Sequence, residues 1–348
     1  MIASYRPVIL AIGAALCGAA IFQALGVPAG ALVGSTVTVT AMSAAGFKLA
    51  VPTGLRNLGF TAIGVTLGAG VTTHFFSDLM RFPVSLAALT VTMIAVLMIS
   101  SNVLKRFFGV PAATAVLATS PGALSYSLSL AAERPQAKID VSFVMVLQSL
   151  RLLIITVALP PLVALIDMGL GGEGGVLSVA PTLDIPTSIV LIAIATVGGY
   201  LFDRLRLPAA FLLAGVFLSG MGHGIGWLEG RPSQILTFIG FSLAGAVIGA
   251  RFSSISRSEL NRMFVAGVVV TTIAMIVSGV ISAFVAQLLN LPFGQVWVSF
   301  APGGVEGMSA MALSLGYDPT YVATHHIFRL LLLILILPVF ARTKKKSD

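Results

Sequence analysis

A chain of 348 residues that is 57% apolar and 9% charged, with a mean hydropathy of +1.04, carries too little polarity to clothe a water-soluble surface. Its net charge of +8 does not point to nucleic acid, because the basic residues stand singly between apolar stretches until Lys344, Lys345 and Lys346 close the chain. One cysteine, Cys17, excludes an internal disulfide and a cysteine cage for zinc or an iron-sulfur cluster.

Apolar stretches fall near residues 8–25, 29–47, 57–76, 83–104, 111–132 and 139–166, and again near 187–202, 208–222, 235–252, 263–289, 293–316 and 320–341. The first has the length of a signal peptide. Its counterpart at 187–202 argues that it stays as a helix. Between the two sets, residues 167–186 hold Gly169, Gly171, Gly172, Gly174, Gly175 and Pro181 with acidic but no basic residues, the composition of a flexible linker. The expected organisation is a first membrane repeat over 1–166, this linker over 167–186, and a second membrane repeat over 187–348.

The two sets are copies. Gly59, Gly64, Gly68, Pro111, Pro121 and Gly122 recur 181 positions later as Gly240, Gly245, Gly249, Pro292, Pro302 and Gly303; after a three-residue deletion Asp140, Arg151 and Pro160 recur as Asp318, Arg329 and Pro338. Duplication inside a bilayer is the usual mark of a secondary transporter, whose site lies between the halves. The glycine rows read as close helix contacts. The pairs Val27-Pro28 and Leu207-Pro208 read as helix openings.

The fifth stretch of each half breaks in its middle, at Ser120-Pro121-Gly122 and at Pro302-Gly303-Gly304. Each piece of about ten residues rises roughly 15 Å as helix, half of a hydrocarbon core of about 30 Å. Such pieces form either one broken crossing helix or the arms of a re-entrant hairpin. With both segments re-entrant, ten crossings and the N-terminus inside, 16 Lys and Arg fall on the inner side, Arg81 and Arg231 on the outer, and Arg151 and Arg329 within helices. With both crossing, the division is 10 against 8. Cytoplasmic enrichment in Lys and Arg favours re-entry. The expected fold is therefore an all-α polytopic membrane protein, built as two inverted repeats of five transmembrane helices, each with a Pro-Gly re-entrant hairpin.

Backbone groups freed by a break in hydrocarbon must be buried in protein or line a cavity. Helices starting at Ala123 and Gly304 would turn partly positive N-termini toward the membrane centre, where an anionic group is favoured. Intramembrane charge is confined to a few residues. Arg151 and Arg329 occupy matching positions, and Gln148 and His326 precede them by three residues on the same helical face. Guanidinium groups grip carboxylates bidentately, so Ser120, Pro121, Gly122, Ala123, Pro302, Gly303, Gly304, Arg151, Arg329, Gln148 and His326 form the candidate substrate site. The alternative is that each arginine caps loose carbonyls of a hairpin, or pairs with Glu306, without touching substrate. Glu306 has Ser125 as its counterpart, and that asymmetry suits coupling to a proton or a sodium ion. His325 and His326 point about 100° apart on a helix and do not share a metal easily, so His325 reads as a packed or interfacial residue. No metal site and no cofactor are expected, and nothing resembles a phosphate-binding loop, a nucleophile elbow or a dinucleotide fingerprint, so the chain is not expected to be an enzyme.

The segments SPGALSYSLSLAAE and FAPGGVEGMSAMALSLGYDPTYVATHHIFRLLL, spaced as a duplication over essentially the whole chain, resemble the bacterial AbrB-type duplicated membrane-protein family. Its members carry labels such as ammonia monooxygenase or transcriptional regulator. No copper-ligand cluster and no DNA-binding module can be read here to support either. The resemblance implies an integral inner-membrane transporter of Gram-negative type. Pro121-Gly122-Ala123 departs from the fuller Pro-Gly-Gly of the second half, so strict functional equivalence of the two hairpins is not expected.

These features together lead to the expectation of an alternating-access carrier for a small organic anion, coupled to protons or sodium, with both termini cytoplasmic. Its partners would be that anion, the coupling ion and the lipid bilayer, with no nucleic acid; by analogy with such designs the scaffold helices could join a homodimer. A passive channel for small solutes, and a membrane sensor or enzyme, are the rival readings.

Overall fold

The computed structural model describes residues 2–69, 82–120, 127, 139–169, 182–207 and 209–340. Pro121, Gly122 and Ala123, and the side chain of Glu306, lie outside the described residues. The first half contains α1 (Ile2–Ala24), α2 (Gly30–Ala44), α3 (Thr53–Gly68), α4 (Phe82–Phe108), α5 (Ala112–Thr119) and α6 (Val141–Gly169). The second contains α7 (Ile185–Arg204), α8 (Ala210–Gly224), α9 (Gln234–Ala250), α10 (Arg257–Leu289), α11 (Phe293–Phe300), α12 (Val305–Ser314) and α13 (Pro319–Phe340). No strand occurs among the described residues, and just before α7 Leu183 donates its amide to Arg231 O at 2.7 Å.

Among the described residues six helices, α1, α4, α6, α7, α9 with its 3-10 extension, and α10, are long and apolar enough to cross a membrane. The chain is an all-helical, multi-pass membrane protein. α5 and α11 have only eight residues each, about 12 Å of rise, and cannot cross alone. Both ends of these short helices are dictated by proline. Pro111 and Pro292 stand at their N-caps, where a missing N–H matters least; Ser120 and Ala301, each preceding a proline in sequence, turn extended with ψ of 121° and 139°.

The duplication reappears helix by helix. α5 maps onto α11 residue for residue at a shift of 181, and α4 ends at Phe108 where α10 ends at Leu289. The first two helices follow a shift of 180 instead: Ala29 and Ala209 both adopt left-handed backbone, at φ 55° and 50°, immediately before α2 and α8. The helices start at Gly30 and Ala210, each behind a left-handed alanine at its N-cap.

Packing divides the helices into two bundles. In the first, α1 packs on α2 and α7 on α8, while the halves exchange partners: α3 lies along α8 and α9 along α2. The glycine rows line these contacts. A Cβ on Gly68 would stand 2.6 Å from Val216 O, one on Gly249 would stand 2.8 Å from Thr40 N, and one on Gly64 or Gly245 would overlap Leu212 O or Ser35 Oγ. Gly59 and Gly240 meet where α3 crosses α9, with 2.9 Å and 3.2 Å left to Leu243 and Ala62 Cβ atoms. In the second bundle α4, α5 and α6 interlock with α10, α11 and α13 around Leu97, Leu117, Leu147, Leu150, Val296 and Phe300. α12 belongs to neither alone. Its Val305 and Ala310 enter the core of the first bundle, and its Met308, Met311 and Ala312 enter that of the second.

Candidate functional site

The short helices end inside the protein, and a helix end leaves carbonyls without intrahelical donors. α6 and α13 supply those donors by the same device. Gln148 Nε2 donates to Leu117 O at 2.8 Å, and His326 Nε2 sits 3.0 Å from Val298 O; Leu117 and Val298 are equivalent positions. Arg151 donates to Thr119 O at 3.2 Å and Ser120 O at 3.0 Å; Arg329 donates to Ala301 O at 2.7 Å and Gly303 O at 2.5 Å. A cation on the last carbonyls also suits the negative end of the helix dipole. All four side chains are buried, Arg329 and His326 at 0% exposure.

The other end of each short helix is tied by a second repeated device. Asp140 donates its amide to Thr114 Oγ1 and Asp318 donates its amide to Gln295 Oε1, both at 3.1 Å, and each aspartate then accepts amides from the first turn of α6 or α13. Sequence reasoning found these aspartates only as repeated positions; an Asp three residues before an apolar run is the cap signal that identifies them. Clamped at both ends, α5 and α11 are rigid parts of the second bundle.

Of the sequence-derived site residues, Ser120, Gln148 and Arg151 thus meet at the first break, where Ser120 Oγ lies 2.9 Å from Ser127 Oγ. Pro302, Gly303, Gly304, His326 and Arg329 meet at the second. Pro302 and Gly303 are buried, and the Gly303 amide donates to Ala301 O at 2.8 Å. His326 Nε2 must carry the hydrogen that its carbonyl partner accepts, and Nδ1 has no partner among the described residues. His325 turns away toward α4, its Nε2 2.8 Å from Ser85 Oγ and its ring centroid 4.0 Å from that of Tyr321. Outside the spanning helices, Tyr317 donates its hydroxyl to Asp167. Burial and that carboxylate push its ionisation above the ordinary tyrosine range, so it remains a donor.

Beyond the second break α12 begins afresh. Its N-cap is Gly304, which brings no side chain to the first-turn amides. Those amides sit at the seam between the bundles: a Cβ on Gly307 would lie 3.8 Å from Ile248 of α9 and 4.0 Å from Thr156 of α6. Sequence reasoning missed Thr156, since nothing distinguishes it from other helical threonines until its partners are known. The arrangement can do three things: fix two short helices inside a membrane protein, bury positive charge beside each break, and offer one uncapped helix N-terminus to a negative group between two bundles. Among the described residues no group of three His, Cys, Asp or Glu converges as a metal cluster would.

Comparison with known proteins gives two findings. The family profile described as "Transition state regulatory protein AbrB" matches residues 32–344. An uncharacterized protein of Bacillus subtilis (strain 168), YhjN, is 26% identical over 305 residues, which covers 82% of this chain and 77% of that protein.

Proposed function

The chain belongs to the AbrB family, and from that premise we propose that it is a secondary active transporter of a small organic anion, working by alternating access. One observation carries the reading: α12 starts at the seam between the two bundles with no side chain on its N-cap, Gly304, beside a break whose carbonyls Arg329 and His326 hold. A helix N-terminus inside a membrane protein attracts an anion, and a seam between bundles is where an outward-facing and an inward-facing state can differ.

In this mechanism the bundle of α4–α6, α10, α11 and α13 carries the breaks and moves against the scaffold of α1–α3 and α7–α9, with α12 at the seam between them. The repeats are inverted, five crossings each, with the Pro-Gly segments as re-entrant hairpins. The protein resides in the bacterial inner membrane with both termini cytoplasmic, consistent with the distribution of Lys and Arg. Gln148, Arg151, His326 and Arg329 frame the site: their donors hold the hairpin carbonyls while the guanidinium charges attract the substrate.

Glu306 is the second residue of α12 and has Ser125 as its counterpart in the first half. A carboxylate of the protein's own in the segment that takes an anion calls for a proton or a sodium ion when the anion binds. That is the proposed coupling step. The expected result is that carboxylates, screened against sulfonates and phosphates at pH 6 and pH 8 with and without sodium, raise the unfolding temperature of the purified protein. A ligand at one hundred times its dissociation constant stabilises the native state by about 2.7 kcal/mol. In Glu306→Gln the anion response persists while its dependence on pH or sodium disappears. Failure of every anion to shift the wild-type protein, or anion flux into proteoliposomes that never saturates, overturns the transporter in favour of a sensor or a channel.

A further inference from the structure

We propose that Thr156 and the first-turn amides of α12 form the binding site for the carboxylate itself; this rests on the reading of the chain as an anion transporter. The starting point is a habit of this protein. Five buried helical threonines, Thr36, Thr61, Thr66, Thr92 and Thr119, give their hydroxyl to the carbonyl four residues back at 2.8 to 2.9 Å, whereas Thr40, Thr156 and Thr271 have no partner among the described residues. Thr156 is 0% exposed in the middle of α6, yet its Oγ1 makes no such bond and has no partner among the described residues. A buried hydroxyl left unpaired opposes folding, and native structures keep few of them.

The direction of that hydroxyl gives it a use. Oγ1 lies 4.0 Å from the place where a Cβ on Gly307 would stand, and Gly307 is in the first turn of α12. Because a Cβ leans toward the N-terminus of its helix, this is the side on which the amides without intrahelical partners open. Two kinds of donor therefore face one small space from the two halves of the chain: a hydroxyl from α6 and backbone amides from α12. Amide donors at the positive end of a helix, joined by a hydroxyl, favour an anion over a cation.

With Ile248 at 3.8 Å and Thr156 at 4.0 Å from a notional Cβ, the space beside Gly307 takes a methyl group without a clash. A planar carboxylate can take the hydroxyl on one oxygen and the amides on the other. The matching position in the second half is Ile334, a residue type without a hydroxyl, so the site is single despite the duplication.

The test uses acetate as the probe, with chloride as the ionic-strength control and inorganic phosphate as the larger anion. In the full-length purified protein, acetate is expected to raise the unfolding midpoint more than equal chloride or phosphate. Thr156→Val keeps the shape and removes the hydroxyl. Its anion-free midpoint should stay level or rise, while its apparent affinity for acetate falls at least tenfold. Ser309→Ala removes another fully buried hydroxyl without a partner among the described residues, in α12 but on the side of Val305, away from Gly307; it should keep the wild-type response. A lower anion-free midpoint in Thr156→Val would mean that the hydroxyl is held by the protein, and an unchanged acetate affinity would place the carboxylate elsewhere. Either result sinks this site while leaving the transporter reading intact. Wild-type protein indifferent to acetate and to every other anion sinks both.

Discussion

Arg329→Met is expected to destabilise the protein by about 2 kcal/mol, since it strips the guanidinium from two buried carbonyls, of which Ala301 O keeps the Gly303 amide, and an unpaired buried acceptor costs about 1–3 kcal/mol. Ala301 O and Gly303 O, at 2.7 Å and 2.5 Å, flank Pro302 and have no water to fall back on if the segment lies in hydrocarbon. Lysine is a poor substitute. Its single ammonium cannot span two carbonyls two residues apart as the planar fork does, so Arg329→Lys should recover only part of the loss. Arg151→Met should move stability in the same direction by less, because its two bonds are longer, at 3.2 Å and 3.0 Å. Thermal unfolding in detergent, read together with anion response, separates the roles. If Arg329→Met keeps wild-type stability and loses only the anion response, the arginine acts as a ligand and not as a clamp.

The second large effect belongs to the other bundle. Gly245→Val should cost about 3 kcal/mol or prevent assembly, because even a Cβ at that position overlaps Ser35 Oγ and comes within 2.7 Å of Leu32 O. Backbone carbonyls cannot move aside without separating α9 from α2. Gly64→Val, the same substitution in the other copy, meets Leu212 O and should behave alike. Gly13 is the control: nothing lies within 4 Å of its notional Cβ, and Gly13→Ala should stabilise α1 by up to about 1 kcal/mol. Yield of folded protein and unfolding midpoint measure all three. Equal stability of Gly245→Val and wild type would show that the helices are not packed as described.

What was legible in the sequence follows from repetition. Proline stops, glycine rows and the Gln/His-to-Arg spacing each occur twice at one offset, and local chemistry fixes what each does whatever surrounds it. So the short helices, the close crossings and the pairing of Gln148 with Arg151 and of His326 with Arg329 could be read before any coordinates. The role of the arginines could not be settled that way, because a guanidinium serves a carbonyl and a carboxylate equally well and only distances tell which is near. The exchange of partners, α3 with α8 and α2 with α9, was also hidden. Small residues say that a helix is approached closely, not by which neighbour. Thr156 was invisible for a third reason: among the buried threonines without a partner it is set apart only by its place beside Gly307. The one-residue change of offset before α3 is carried in the sequence by Pro28 and Pro208, which stand 180 apart, and two left-handed alanines confirm it in the backbone.

The exchange of partners also sets a timetable. Gly64 of α3 packs against α8 around Gly215, and roughly 150 residues separate them, which at about 5–20 residues per second is roughly ten to thirty seconds of synthesis. Throughout that interval the small-residue face of α3 has been inserted but has no helix to receive it. The same holds for α2, which waits for α9. The first half therefore enters the membrane as an unfinished surface, exposed to lipid and to quality control, and the nascent chain is at its most vulnerable until its own second copy arrives to close it.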